Sequence, residues 1–87
     1  MGEVKELAID ELVDWWRELG DQFGWEEAVR MLAAFRPAPA AVRRVEHRAY
    51  DRAHEEYVSG NPGEHRHYTD AGDSLSILAE RVEQTRD

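Results

Sequence analysis

The chain has 87 residues, 19 of them acidic against 11 basic, for a formal net charge of -8, and it has no cysteine. A single domain of this size buries roughly 60–65% of its unfolded surface, which leaves little room for a large internal active site. The lack of cysteine excludes disulfides, thiolate zinc sites and a cysteine nucleophile. The negative charge repels a phosphate backbone, so it argues against nucleic acid and favours a basic protein surface as partner.

The first residues after Met1 contain Glu3, Lys5 and Glu6, and they lack the basic start and apolar run of a signal peptide. No apolar stretch approaches the roughly 18 residues of a membrane span. We therefore expect a cytoplasmic protein with no membrane partner.

Apolar spacing predicts a first helix over residues 10–22, with Asp10 as its N-cap. Trp15 lies at the edge of an apolar stripe that faces the core. The stripe consists of Ile9, Leu12, Val13, Trp16, Leu19 and Phe23.

A second helix is predicted over residues 25–35, with Gly24 as N-cap and with Pro37 ending it. Its apolar sector covers roughly 200° because Met31 and Phe35 widen one side. A helix this apolar needs cover from two directions. The sequence therefore predicts that this helix is the centre of the bundle, with an apolar arc of Trp25, Ala28, Val29, Leu32 and Ala33.

Two further helices are predicted over residues 39–59 and 70–84, separated by a polar loop over 60–69 that is histidine-rich at 64–68. Pro39 suits a first helical position and Gly60 a left-handed helix end. The predicted buried stripes are Val42, Val45, Ala49, Ala53 and Tyr57 on the third helix, and Ala71, Leu75, Leu78, Ala79 and Val82 on the fourth. Residues 1–87 should thus form one all-α domain, a four-helix bundle with a tri-helical N-terminal unit.

Residues 19–30 resemble a helix-turn-helix segment, in which a turn glycine precedes an Ala-Val pair on the recognition helix. The resemblance implies a DNA-binding regulator. Glu26 and Glu27 would lie where phosphates lie, and Arg30 alone is basic on the exposed face, so DNA binding is kept as the alternative function.

Residues 70–76 resemble the phosphopantetheine attachment site of acyl and peptidyl carrier proteins, with a serine in a Gly-Asp-Ser-Leu setting. The resemblance implies that Ser74 is modified, which gives a third function. The other interpretation of this segment is that Asp73 or Ser74 caps the last helix.

His47, Asp51 and His54 follow one another at i, i+4 and i+7, so they share the outward face of the third helix. Two imidazoles and a carboxylate are a ligand set for zinc or iron, and His65 and His67 could approach from the loop. We interpret this set as a solvated helix face and predict no metal or cofactor. No phosphate loop or serine elbow is present, so we predict no enzyme activity.

The chain has more large apolar residues than a domain this small easily buries, and aromatic residues are common anchors of protein interfaces. Trp15, Phe35 and Tyr50 lie at stripe edges. Together with Glu26 and Glu27 they are the predicted partner-binding residues. The sequence thus predicts an acidic, non-catalytic interaction module, an adaptor or inhibitor of a basic protein, that self-associates or requires a partner.

Overall fold

The computed structural model describes the backbone of residues 2–84 and the side chains of residues 9–84. This part of the chain contains four helices and no strand: α1 (Gly2–Phe23), α2 (Trp25–Ala33), α3 (Pro39–Val58) and α4 (Pro62–Gln84). They pack as a flat body of 42 × 33 × 18 Å. The predicted all-α fold with four helices is confirmed. Among the described residues, no helix is both long enough and apolar enough to cross a bilayer.

The first helix begins at Gly2, not at the predicted residue 10. Asp10 lies inside α1, where its carboxylate accepts a hydrogen bond from Arg48 Nε at 2.6 Å instead of capping a helix. Gly24 is the single residue between α1 and α2. It is the N-cap of α2 and has φ 85° and ψ 152°. Only glycine adopts that conformation without strain, so the predicted cap is confirmed and the connection is very short.

The second helix ends at Ala33, two residues before the predicted boundary. Arg36 has φ 50°, a left-handed value, and Pro37 follows it. A proline disfavours the α conformation of the residue before it, which keeps Arg36 out of the helix. The amides of Phe35 and Arg36 donate to the carbonyls of Leu32 and Ala33, three residues back instead of four, so the α-helical bonding pattern stops before Phe35.

The predicted loop over residues 60–69 is wrong, because α4 begins at Pro62 and is continuous to Gln84. Proline at a first helical position loses no hydrogen bond, and the amide of His65 donates to the carbonyl of Asn61 at 2.9 Å to close the first turn. Within the polar segment 64–67, Glu64 pairs with Arg17 of α1, and His65 Nδ1 lies 2.9 Å from the Ala53 carbonyl of α3. The predicted ends of α3 are confirmed within one residue, and Gly60 has the expected left-handed φ of 83°.

The centre of the bundle is α4, which among the side chains of residues 9–84 contributes more buried residues than any other helix: Tyr68, Ala71, Gly72, Ser74, Leu75, Leu78, Ala79 and Val82. The expectation that α2 is central is wrong. With nine residues α2 is only about 14 Å long, and it buries only Ala28 and Val29. Trp25, Leu32 and Ala33 are partly buried against the core. Met31 is 40% exposed, and Phe35, beyond the end of the helix, is 80% exposed.

Small residues allow the helices to approach closely. A Cβ atom at Gly72 would lie 2.7 Å from the Tyr50 ring, so this ring crosses α4 where there is no side chain. Gly20 is buried inside α1. It leaves space for the Trp25 ring, which packs on Trp16 with 5.9 Å between ring centroids.

Candidate functional site

The sequence of α1 places two kinds of side chain on two sides of the helix. Residues separated by three, four or seven positions share a helix face. Asp10, Asp14 and Arg17 therefore form one side. The other side consists of Leu12, Trp15 and Leu19, and the fully buried Val13 and Trp16 lie between the two.

The first side forms a polar seam with α3 and α4. Asp14 Oδ1 accepts a hydrogen bond from the Tyr68 hydroxyl at 2.9 Å, and Arg52 Nη2 donates to the same hydroxyl at 2.7 Å. Arg17 Nη2 donates to Glu64 Oε1 at 2.9 Å. We call this set the polar seam: Asp10, Asp14, Arg17, Arg48, Arg52, Glu64 and Tyr68.

Tyr68 lies at the centre of the polar seam. The guanidinium carbons of Arg52 and Arg17 are 4.6 and 5.5 Å from its ring centroid, within the range of cation–π attraction. Burial raises the pKa of the Tyr68 hydroxyl, and its hydrogen bond to Asp14 acts in the same direction. The seam therefore holds a neutral phenol between charged partners. Among the described side chains, the one buried polar atom without a partner is Arg17 Nε.

The second side of α1 borders an apolar groove of about 210 Å³ to which all four helices contribute. Leu12 is 45% exposed and Trp15 44%, although both are large and apolar. The floor includes Trp16, whose Nε1 donates to the buried Ser74 hydroxyl at 2.7 Å. The groove is lined by Leu12, Trp15, Trp16, Leu32, Pro37, Ala41, Val42, Val45, Leu75 and Leu78.

The residues beside the groove differ in charge. On α1, Glu11 and Glu18 are exposed and lie four residues before and three after Trp15, which places them beside it. We call these two the acidic edge. Next to lining residues that do not belong to α1, exposed Arg36 precedes Pro37 and exposed Arg44 follows Ala41 by three residues; we call these two the basic edge. Within residues 9–84 none of these four side chains forms an ion pair or hydrogen bond.

The structure places the predicted aromatic contact residues in two different settings. Trp15 lines the groove, and the highly exposed Phe35 lies in the chain between Leu32 and Pro37, which also line it. Tyr50 is elsewhere: its hydroxyl donates to Asp73 Oδ1 at 2.6 Å, across α3 and α4. Burial, together with this bond to a carboxylate, raises the pKa of Tyr50 to about 12. Tyr50 therefore joins two helices and does not border the groove.

The predicted acidic contact residues Glu26 and Glu27 are not in the groove either. With Phe23, Trp25, Arg30 and Arg81 they line a separate open depression of about 650 Å³ at the start of α2. Glu27 forms an ion pair with Arg30. The helix-turn-helix resemblance thus corresponds to a real pair of helices, but the only arginine of α2 is neutralised by its neighbour.

Ser74 lies in the middle of α4 and is 3% exposed. Its hydroxyl donates to the Ala71 carbonyl at 2.8 Å and accepts from Trp16. The hydroxyl is therefore hidden from a modifying enzyme, unlike the serine that the carrier-protein resemblance implies. The alternative, a capping role for Asp73 or Ser74, is wrong because the helix begins twelve residues before Ser74, at Pro62.

His47, Asp51 and His54 are exposed on the outward side of α3, as expected. Residues 9–84 contain no group of three His, Cys, Asp or Glu side chains placed to hold a metal ion. His65 and His67 belong to α4, where His65 Nδ1 lies 2.9 Å from the Ala53 carbonyl and His67 Nδ1 lies 3.8 Å from Asp21.

No protein-family model, curated protein or solved structure matched the chain, so the interpretation of the groove depends on its own geometry. Sequence reasoning identified Trp15 but missed Leu12 as an exposed groove residue, because it assigned Leu12 to the buried stripe. It also missed Pro37, Ala41 and the two charged edges. Only the acidic edge had a signal in the sequence, because the spacing of Glu11, Trp15 and Glu18 places them on one side of α1.

Proposed function

We propose that this chain is a non-catalytic protein-interaction module, an adaptor or inhibitor that acts on a basic protein in the cytoplasm. The observation that supports it best is the apolar groove, with Leu12 and Trp15 nearly half exposed at its border. Apolar patches rimmed by charged residues are typical of protein contact sites, and tryptophan is a frequent anchor in them.

A partner that covers the groove would bury apolar surface that is now in contact with water. At about 25 cal/mol per Å², burial of roughly 100 Å² of a side chain as large as Trp15 contributes about 2.5 kcal/mol. That energy corresponds to a change in affinity between one and two powers of ten. A single residue of the groove is therefore sufficient for a measurable test.

Charge supports a basic protein as the regulated partner. Most arginines of the described chain are already paired with acids, for example Arg17 with Glu64 and Arg48 with Asp10. The acids that form no ion pair within residues 9–84 attract a basic surface and speed its association. They are Glu11, Glu18, Glu26, Asp51, Glu56, Asp70, Asp73 and Glu80.

The test is site-specific photo-crosslinking in native cells. A benzophenone side chain replaces Trp15 in one variant and Tyr57 in the matched control, because Tyr57 is also aromatic and is 66% exposed, but lies away from the groove. We expect protein adducts from position 15 and few from position 57, identified by mass spectrometry. Equal, sparse labelling at both positions would contradict a contact function for the groove.

The DNA-binding alternative is tested separately. Arg30 is paired with Glu27 and the chain carries a charge of -8, so we expect no duplex binding at physiological salt. A gel-shift assay over random and genomic fragments measures this. A sequence-specific complex that Arg30→Ala abolishes would replace the interaction module with a DNA-binding regulator.

A further inference from the structure

We propose that the occupant of the apolar groove is a second copy of this chain, so that the module is a two-fold symmetric dimer. The proposal rests on the proposed function in one respect, that the groove is a protein contact. It names the partner at that contact and leaves the basic protein to bind elsewhere.

The charges beside the groove favour a second copy as its occupant. A basic partner in the groove would be attracted by Glu11 and Glu18 but repelled by Arg36 and Arg44, and an acidic partner would meet the reverse. A complementary surface needs one acidic and one basic edge on either side of an apolar centre. The groove of a second copy has this arrangement.

Two-fold symmetry brings edges of opposite charge together. In a face-to-face dimer with the two-fold axis along the groove, the acidic edge of one copy lies opposite the basic edge of its partner. Each ion pair then occurs twice. The four edge residues have no partner inside residues 9–84, so dimer formation breaks no ion pair or hydrogen bond already present there.

The size of the groove agrees with a protein occupant. Its volume of about 210 Å³ is below the roughly 300–1,000 Å³ of pockets that enclose small molecules, and its lining has almost no polar group to orient one. Trp15, which lines the groove, is 44% exposed, so part of its ring is available to enter the groove of a second copy. A face that has both an apolar depression and an exposed aromatic ring fits a copy of itself.

The dimer leaves the remaining acids available. Glu26 lines the separate depression at the start of α2, and Asp70 and Glu80 are exposed on α4, away from the groove-lining residues. Two chains of charge -8 give a total of -16, which doubles the attraction toward a basic protein. Self-association through the groove and binding of a basic partner are therefore compatible.

The experiment exchanges the charges of the edges. One variant, Glu11→Arg with Glu18→Arg, has two basic edges. The other, Arg36→Asp with Arg44→Glu, has two acidic edges; aspartate is chosen at 36 because short polar residues tolerate the left-handed backbone there. Sedimentation equilibrium gives the mass of each variant alone and of an equal mixture, and circular dichroism checks that both remain helical.

We expect the native chain to sediment as a dimer, twice the 10.1 kDa of one chain. Each variant alone should self-associate at least about tenfold more weakly, since like charges then face each other. The equal mixture should restore the dimer, because a chain with two basic edges fits one with two acidic edges. The control pair Asp51→Arg with Asp70→Arg changes the same charge on exposed positions outside the groove and should leave the native dimer intact.

Two results would overturn the proposal. One is a native chain that stays monomeric up to a concentration of about 100 μM, since a dimer that needs a higher concentration would have a very weak dissociation constant. The other is a dimer that neither edge variant weakens, which would place the contact on another surface. If the chain is monomeric but still gives adducts with other proteins from position 15, the dimer is ruled out and the proposed function stands. If position 15 gives no adduct, the proposed function is ruled out as well.

Discussion

The two sides of α1 differ in how far the rest of the chain contacts their side chains. In the polar seam, Asp10, Asp14 and Arg17 each bind a partner on α3 or α4. In the apolar groove, Leu12 and Trp15 remain nearly half exposed. Apart from Arg17 Nε, the polar side chains of the seam find partners within the chain, whereas the large apolar side chains at the border of the groove remain open to solvent. This difference is the reason why the proposed contact is placed at the groove.

The two sides also differ in what they contribute to stability. The seam's ion pairs are partly exposed, such as Arg17 with 25% and Glu64 with 43% of the side chain accessible, and such pairs typically contribute only about 0–1 kcal/mol each. Stability comes mainly from the buried apolar core that all four helices form, and Leu78 of this core also lines the groove. The seam fixes how α1 lies on α3, and the core holds it there.

The largest effect should come from the floor of the groove. Leu78 is fully buried, so Leu78→Ala leaves a cavity and should lower the free energy of unfolding by about 2–5 kcal/mol. Leu12→Ala, at the exposed border of the same groove, should cost less than about 1 kcal/mol in dilute solution. Urea denaturation measures both. Equal losses would mean that the border is as well packed as the floor.

The next effect concerns the centre of the polar seam. Tyr68→Phe removes the hydroxyl that Asp14 and Arg52 share, which should cost about 1–2 kcal/mol. Tyr57→Phe is the matched control, since Tyr57 is 66% exposed and its hydroxyl has no hydrogen bond in the described part of the chain. Thermal unfolding compares them. If both variants unfold like the native chain, the seam does not hold α1 in place.

Alkaline pH should weaken the fold through its tyrosines. The pKa of Tyr50 is raised from 10 to about 12 by burial and by Asp73. Because the folded pKa is above the unfolded one, this contribution is fully present below pH 10 and is lost as pH rises toward 12. Urea midpoints at intervals from pH 9 to 12 should fall, and Tyr50→Phe should flatten the fall. A native chain of constant stability across this range would contradict the assignment.

The smallest effect is expected at a surface that belongs to neither side of α1. His47→Gln with His54→Gln changes two exposed residues of α3, and surface changes of this kind usually stay within about 0.5 kcal/mol. Melting temperatures with and without zinc should match those of the native chain. A zinc-dependent stabilisation that the variant loses would show that this face binds metal and is not merely solvated.

The fold class and most of the core follow from the sequence alone. Apolar spacing predicted Ala71, Leu75, Leu78 and Val82 as buried, because residues three and four apart share a helix face regardless of where other helices lie. The roles of Gly24, Gly60 and Pro39 could also be predicted. The two glycines adopt positive φ values that other residues avoid, and Pro39 takes a first helical position, where its missing N–H costs nothing.

Which apolar faces are covered depends on how the helices pack in three dimensions. Local pattern marked α2 as the centre and Leu12 as buried, yet α4 is the centre and Leu12 borders the groove. Polar residues from 64 to 67 indicated a loop, but they lie in a helix, and Glu64 pairs with Arg17, 47 positions away. Periodicity specifies a face of a helix, whereas burial depends on neighbours that are distant in sequence. The groove exists because those neighbours do not extend over Leu12 and Trp15.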